Sequence, residues 1–478
     1  MKKFLLFFLL SLLILITILL FNGIQLSTRQ YSLQEEPAIQ IKESAIQNLS
    51  QAVQFKTVSY DSGQLADSSW FRKLLDFLTT QYPLCDSILT KKVVNSYSLV
   101  YSWQGKNPSL KPVILLAHLD VVPPEGAWEE DPFSGTIKNG FIWGRGTLDD
   151  KVSALGILEA AEKLLADGYT PERTIYFAFG HDEETGGTMG AKRIAEWMKK
   201  KNLEAEFILD EGLVITDGIV PAMDKPVALI GIAEKGYLTL QLSVQMHSGH
   251  SSMPEKETAI GVLSSAIHKL EKNKLEASLS GPAQKFLEHI GPEMGFFKKV
   301  VFANTWLFEK LIINTYEKTP AGNALVRTTL APTILSAGVK ENVVPEKATA
   351  IINLRTLPQT SKGEIIQELK NYIEDERVKI KVINYNPSSE ISSVESFGYK
   401  KIDSTIRKIF PEMIAAPSLM IAATDSKHYA EISKNIYRFL PIVFKKEDLE
   451  RIHGKNERIS VEGYKDVIRF YHSLMKGL

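Results

Sequence analysis

The segment GRGTLDDK (144–151) sets two adjacent carboxylates, Asp149 and Asp150, in a glycine-bracketed turn, where each raises the cost of ionising the other. On composition alone it reads as a solvated turn. His118 and Asp120 are spaced i, i+2 at the end of an apolar run, so on an extended strand they share a face. Asp120 can then hold the second ring nitrogen of His118 and select the tautomer that binds a metal, although a surface turn would have the same spelling. Glu183 and Glu184 in HDEETGG project differently, so one could bind a cation while the other stays free as a base; a solvated acidic loop is the competing reading. Asp210 in LDEG is common turn chemistry when taken singly. The repetition of such clusters between residues 118 and 210 is harder to assign to solvent.

These residues need elements that aim them at one place. PVILLAHLDVVP (112–123), RTIYFAFGHDEETGG (173–187) and EFILDEG (206–212) are buried-strand runs with polar ends, and KVSALGILEAAEKLLADG (151–168) is an amphipathic helix closed by glycine. Short apolar strands alternating with helices predict an α/β body. In open α/β sheets ligands bind beyond the carboxyl ends of the strands, where every one of these clusters falls.

The whole chain sets limits on the chemistry. Its 478 residues fit two or three packed units, and 44% apolar with 23% charged residues is a globular balance. Acidic and basic residues are equal at 56 each, which gives no reason to expect nucleic acid as partner. The single cysteine, Cys85, excludes a disulfide framework and a cysteine-rich metal cluster, so a metal would need oxygen and imidazole ligands; Cys85 itself reads as a small buried apolar residue.

After Lys2 and Lys3 the chain is apolar from Phe4 to Phe21, broken only by Ser11 and Thr17. That run is near the lower limit for a membrane-spanning helix and longer than most cleaved signal cores, and NGIQLSTRQ after it offers no clear cleavage site. We read an uncleaved signal anchor with the lysines in the cytoplasm and the body outside it, periplasmic, extracellular or lumenal; a secreted, cleaved form is the alternative.

The ordered segments LAHLDVVP, WEEDPFSGTIKNGFIWGRGTLDDK, GHDEETGG, LDEG, AEKG, HSGHSSMP, ENVVP, INLRTLP, TDSKHY and RIHGKNERI together resemble the aminoacylase and carboxypeptidase family of co-catalytic zinc hydrolases, peptidase family M20, nearest to carboxypeptidase S and the secreted N-acyl-amino-acid hydrolases. The resemblance implies two Zn2+ per chain, with Mn2+ or Co2+ as alternatives. Asp149 would bridge the two ions and so have its charge offset, with Asp150 behind it or solvated. His118 and Asp210 would bind one ion, and Glu184 and His453 the other. His453 is preferred to His428 because HGKNE matches the family's HxxNE before the terminal helix; His428 would line the cleft or pack, Asp425 and Ser426 would stand near the entrance, and His181 and His247 would be structural or exposed. Glu183 would be the general base, Asp120 a catalytic residue through its hold on His118, His250 the oxyanion donor, and Asn342 with Arg355 the grip on a substrate carboxylate, a pairing for which the guanidinium fork is suited.

The implied fold is a central mixed sheet flanked by helices, zinc exopeptidase-like, with an inserted smaller α+β lid or dimerisation domain and an N-terminal transmembrane helix. The expected divisions are 1–26 for the membrane segment, 27–235 and 359–478 for the catalytic domain, and 236–358 for the lid, through which a homodimer could form. The aromatic stretch between Ser278 and Asn323, including Trp306 and Phe308, is either plain helix packing or an apolar groove for an acyl chain. The implied reaction is hydrolysis of the amide bond beside a C-terminal amino acid with a free carboxylate, on a small peptide or an N-acyl amino acid. Competing readings are a two-metal aminopeptidase and an inactive membrane-anchored peptide-binding homologue.

Overall fold

The computed structural model describes residues 1–60, 64–65, 67–221 and 223–478. The N-terminal apolar run is one helix, α1 (Lys2–Gln25), long and apolar enough to cross a membrane. Strands β1 (Thr90–Val94) and β2 (Ser98–Trp103) form a hairpin, and β3 (Val113–His118) is buried along its whole length. Such a run needs cover on both faces, as a parallel strand has. Helix α2 (Lys151–Ala166) supplies it, and the chain returns through β4 (Ile175–Gly180) and β5 (Phe207–Asp210), which pair parallel with β3 on its two sides. Strands β6 (Ile215–Thr216) and β7 (Val227–Glu234) extend the sheet.

At Lys235 the chain leaves for a second unit. Strand β8 (Gly236–Gln245) alternates strictly, with Leu238, Leu240, Leu242 and Val244 buried. Helices α3 (Ala259–Lys272), α4 (Pro282–Ile290), α5 (Phe296–Ala303) and α6 (Thr305–Tyr316) follow, then β9 (Thr329–Ala337), β10 (Lys347–Thr356), α7 (Lys362–Ile373) and β11 (Lys379–Asn386). The second sheet is antiparallel in the order β9-β10-β8-β11, with α3 and α7 packed over it. The chain then re-enters the first sheet through β12 (Ile414–Met420), β13 (Ile436–Arg438) and β14 (Val443–Phe444), and ends in α8 (Val461–Lys476). The first sheet runs β14-β6-β7-β13-β5-β3-β4-β2-β1, with β12 beside β7.

The expected insertion ended at Pro358; the second sheet continues to Asn386. Strand β8 is an inner strand and needs a partner on each side, and α7 carries the chain over to supply it as β11 (Leu240 opposite Val382). The alternation in KIKVINYN was the available signal. Helices α4 to α6 pack elsewhere, burying Phe286, Ile290 and Ile312 with Val227, Ile414 and Ala416 at the starts of β7 and β12.

Helices α2 and α8 meet at Gly156, where a Cβ would stand 2.6 Å from Val467 Cγ1; the missing side chain is what lets the two axes approach. Cys85 is buried and unpaired, as its lone occurrence suggested.

Candidate metal centre

Strands β13, β5, β3 and β4 are mutually parallel neighbours, so their carboxyl ends form one rim, with Arg438 opposite Asp210 and His118 opposite Gly180. His118 and Asp210 end their strands there, and Glu183–Thr185 is a single 3-10 turn just beyond β4. Asp149 and Asp150 stand immediately before α2, joined by a cis peptide.

The two oxygens of Asp149 face two imidazoles. Oδ1 is 2.8 Å from His118 Nε2 and Oδ2 is 3.0 Å from His453 Nε2. His453 Nε2 is also 3.3 Å from Glu184 Oε2. Ligand atoms of His118, Asp149 and Glu184 lie within 4.8 Å of one another, and Glu184 Oε1 is buried with no hydrogen-bond partner. A buried carboxylate oxygen left without a donor, among imidazole nitrogens and a second carboxylate, fits a divalent cation of the zinc type. Asp210 stands outside this tight group: Oδ1 accepts the Glu211 N–H at 3.0 Å and Oδ2 the Ser426 N–H at 2.9 Å.

Asp120 does two things. His118 Nδ1 donates to the Asp120 backbone carbonyl at 3.0 Å, while the carboxylate, 3.4 Å from that nitrogen, accepts the backbone N–H groups of Glu183 (3.1 Å) and Glu184 (3.2 Å). The expected carboxylate clamp on the imidazole is therefore shared with the main chain. A donating Nδ1 leaves Nε2 as the face turned to Asp149.

Electrostatics separate the adjacent aspartates. Burial opposes charge on Asp149, but bonds from His118 and His453 outweigh it and hold its carboxyl below the usual range. Asp150 is fully buried, not solvated; burial, reinforced by Asp149 and Asp210, pushes its carboxyl well up. It accepts a hydrogen bond from the Ser153 hydroxyl and a long one, 3.4 Å, from the His118 N–H. Burial likewise raises Glu183 well above an ordinary glutamate, with Asp425, Glu184 and Asp149 adding to it. The bonds to Asp149 and Glu184 push the His453 imidazole up to about 10, so without a cation a shared proton binds these groups together.

Two supporting networks were not anticipated. Glu457 Oε1 accepts from the backbone of Gly146 (2.9 Å), Leu148 (2.8 Å) and Asp149 (3.3 Å), and Oε2 pairs with Arg145 at 2.6 Å, whose second amine donates to the His453 carbonyl at 3.0 Å. The glutamate of HGKNE was thus a visible signal. Behind Asp210, Glu234 pairs with Arg438 at 3.0 Å and accepts from Thr424 and Ser426, all buried. Contacts between residues 234, 424 and 438 leave no local sequence signal.

Asp425 and Ser426 are buried at the start of a 3-10 turn, Asp425–Tyr429, that follows β12, and both Asp425 carboxyl oxygens lack a hydrogen-bond partner. His428 Nε2 meets the Gly186 carbonyl at 2.8 Å and packs. His181 is structural, 2.6 Å from Ser98 Oγ, and His247 is exposed. His250 and Asn342 are exposed neighbours on the short ribbon of Gly249–His250 with Val343–Val344, where the Ser251 N–H donates to the Asn342 carbonyl at 3.2 Å. Arg355, on β10, lies 4.8 Å from the Tyr237 ring centre. Among the described residues no hydrogen bond or ion pair joins these three to the Asp149 cluster.

The profile described as Peptidase family M20/M25/M40 matches residues 114–477. A Dictyostelium discoideum protein named probable carboxypeptidase S-like 2 is 43% identical over 90% of this chain and 84% of its own. The Xenopus tropicalis N-fatty-acyl-amino acid synthase/hydrolase PM20D1 is 39% identical over 98% of this chain and 94% of its own. Among solved structures, the M20 family metallo-carboxypeptidase Sso-CP2 of Sulfolobus solfataricus superposes with a TM-score of 0.65 at 17% identity, covering 91% of this chain and 99% of that one. Human carnosine dipeptidase 1 does so at 0.61 and 16%, covering 91% and 96%.

Proposed function

This chain belongs to peptidase family M20, and from that premise we propose that it hydrolyses the amide bond beside a C-terminal amino acid whose carboxylate is free. The observation that carries the proposal is Asp149, whose two oxygens each lie at hydrogen-bond distance from a different imidazole nitrogen, so that this one carboxylate would serve both halves of a two-cation site. His118 and Asp210 are assigned to one ion, Glu184 and His453 to the other. Zinc suits the donor set, and manganese or cobalt would accept the same atoms. Cations held there would supply a Lewis acid for the scissile carbonyl and lower the proton affinity of water.

Glu183 takes the proton of the attacking water and returns it to the leaving nitrogen; burial makes its carboxylate a stronger base than usual. Asp120 is a positioning residue, holding the backbone of Glu183 and Glu184 while its own carbonyl orients His118. We assign His250 to the developing oxyanion and Asn342 with Arg355 to the substrate carboxylate, reached when the second unit meets the cluster by closure or across a homodimer. The names of the relatives point to peptides in one case and fatty-acyl amino acids in the other, and both present an amide beside a free carboxylate. Helix α1 is assigned to anchoring the body on the outer side of a membrane.

Dipeptides, N-acyl amino acids and amino-acid anilides offered to the zinc-loaded protein test this reading. Turnover of either of the first two, with anilides untouched, is the expected result; cleavage of anilides alone would replace it with an aminopeptidase.

A further inference from the structure

Helix α1 does not project freely from the body; its last turns are built into α5 and the α5–α6 junction. Gly23 is buried against α5, where a Cβ would stand 2.6 Å from Val300 Cγ2. The fully buried Asn304, at the junction of α5 and α6, donates to the Leu19 carbonyl at 3.0 Å and accepts from Asn22 at 2.8 Å and from the Trp306 indole at 3.3 Å. Beyond the helix, Arg29 pairs with Glu288 at 3.2 Å and Thr28 with Glu293.

The apolar run ends at Phe21, and from Phe4 it is barely long enough to cross a hydrocarbon layer of about 30 Å. None of it can be withdrawn from the bilayer, so Leu19 must lie within about one turn of the bilayer surface, and the α5–α6 junction bonded to it lies there too. Phe296 and Phe297 precede Val300 by four and three residues and so lie along the face that touches α1. Phe297 is 84% exposed and Trp306 64%, with Leu307 and Leu311 also exposed on α6. Lys298 and Lys310 are exposed among them and Lys299 is half-buried. An aromatic edge fringed with lysines, fixed beside a membrane span, has the chemistry of the lipid interface.

We propose that α5 and α6 form a second membrane contact, inserting Phe296, Phe297 and Trp306 into the interfacial layer of the same bilayer that α1 spans, with Lys298 and Lys299 toward anionic headgroups. The body is then held at a set tilt on the membrane instead of swinging on a tether. The aromatic stretch read from sequence as packing or an acyl groove thus has lipid as its outer neighbour. The inference rests on α1 being retained as a span and is independent of which amide is cleaved.

The full chain, reconstituted in phosphatidylcholine vesicles containing phosphatidylglycerol, carries a nitroxide at Phe297→Cys, at Leu311→Cys or, as the aqueous control, at Val339→Cys, which is 101% exposed; native Cys85 is buried and stays unlabelled. Power saturation with oxygen and a water-soluble nickel chelate reads the depth of each label. Labels at 297 and 311 should be several-fold more accessible to oxygen relative to nickel than the label at 339. Equal ratios at all three, with α1 still resisting alkaline extraction, would overturn the second contact. Release of the chain by alkali would remove its premise, and dipolar broadening with both quenchers excluded would replace lipid by a second copy of the chain.

Discussion

Arg145 Nη1 donates to Glu457 Oε2 at 2.6 Å in an ion pair whose side chains are 1% and 0% exposed. The pair ties the turn carrying Asp149 to the segment carrying His453, which are more than 300 residues apart in the chain but share one carboxylate. Glu457→Gln keeps the shape and removes the anion that gathers the N–H groups of Gly146, Leu148 and Asp149. Breaking a buried pair by one partner costs about 3–5 kcal/mol, so the variant should unfold at lower denaturant and retain less metal. Denaturation curves and metal content check both.

Glu183 and Glu184 are neighbours in the same turn with separate assignments. Glu183→Gln should lower kcat by about 10²–10⁴-fold with metal content unchanged, because it removes the proton acceptor. Glu184→Gln or His453→Ala should lose metal first and activity in consequence. Metal analysis beside kinetics distinguishes them.

Chelation should abolish amide cleavage, and zinc should restore it. Uptake must displace the proton that His453 shares with Asp149 and Glu184, so metal affinity should rise with pH and binding should release protons. Calorimetry in buffers of different ionisation enthalpy measures that release.

The Lys235 ammonium, at the crossing between the two sheets, donates to the carbonyls of Ala324 (3.0 Å) and Arg327 (2.6 Å). Burial, helped by Arg355, pushes its pKa down to about 7 from 10.5. Between those values the unfolded chain holds a proton that the folded chain does not, so this residue makes stability rise with pH across the window, by at most about 5 kcal/mol. Lys235→Met should flatten the rise relative to wild type in denaturation curves between pH 7 and 10.

Gly156→Ala should be destabilising although alanine favours a helix by about 1 kcal/mol, because the new Cβ would lie 2.6 Å from Val467 Cγ1 and 3.3 Å from Tyr471 Cδ2. Overpacking costs about 1–3 kcal/mol. Val467→Ala in the same chain should recover part of the loss, and a double-mutant cycle reads the coupling.

By itself, the sequence determined the strands that end in His118, Gly180 and Asp210, the helix after Asp150, and the family, because parallel buried strands spell unbroken apolar runs and the site residues sit in local motifs at their ends. It also marked α1 by apolar length alone. Tertiary structure decided what no window along the chain contains. Only the assembled fold brings His453 to the second oxygen of Asp149 and sets Glu234, Thr424, Ser426 and Arg438 behind Asp210. Only packing shows that β11 completes the second sheet and that α5 and the α5–α6 junction sit on α1 rather than over that sheet. Periodicity reports which face of an element is buried; the partner that buries it is chosen by contacts hundreds of residues away.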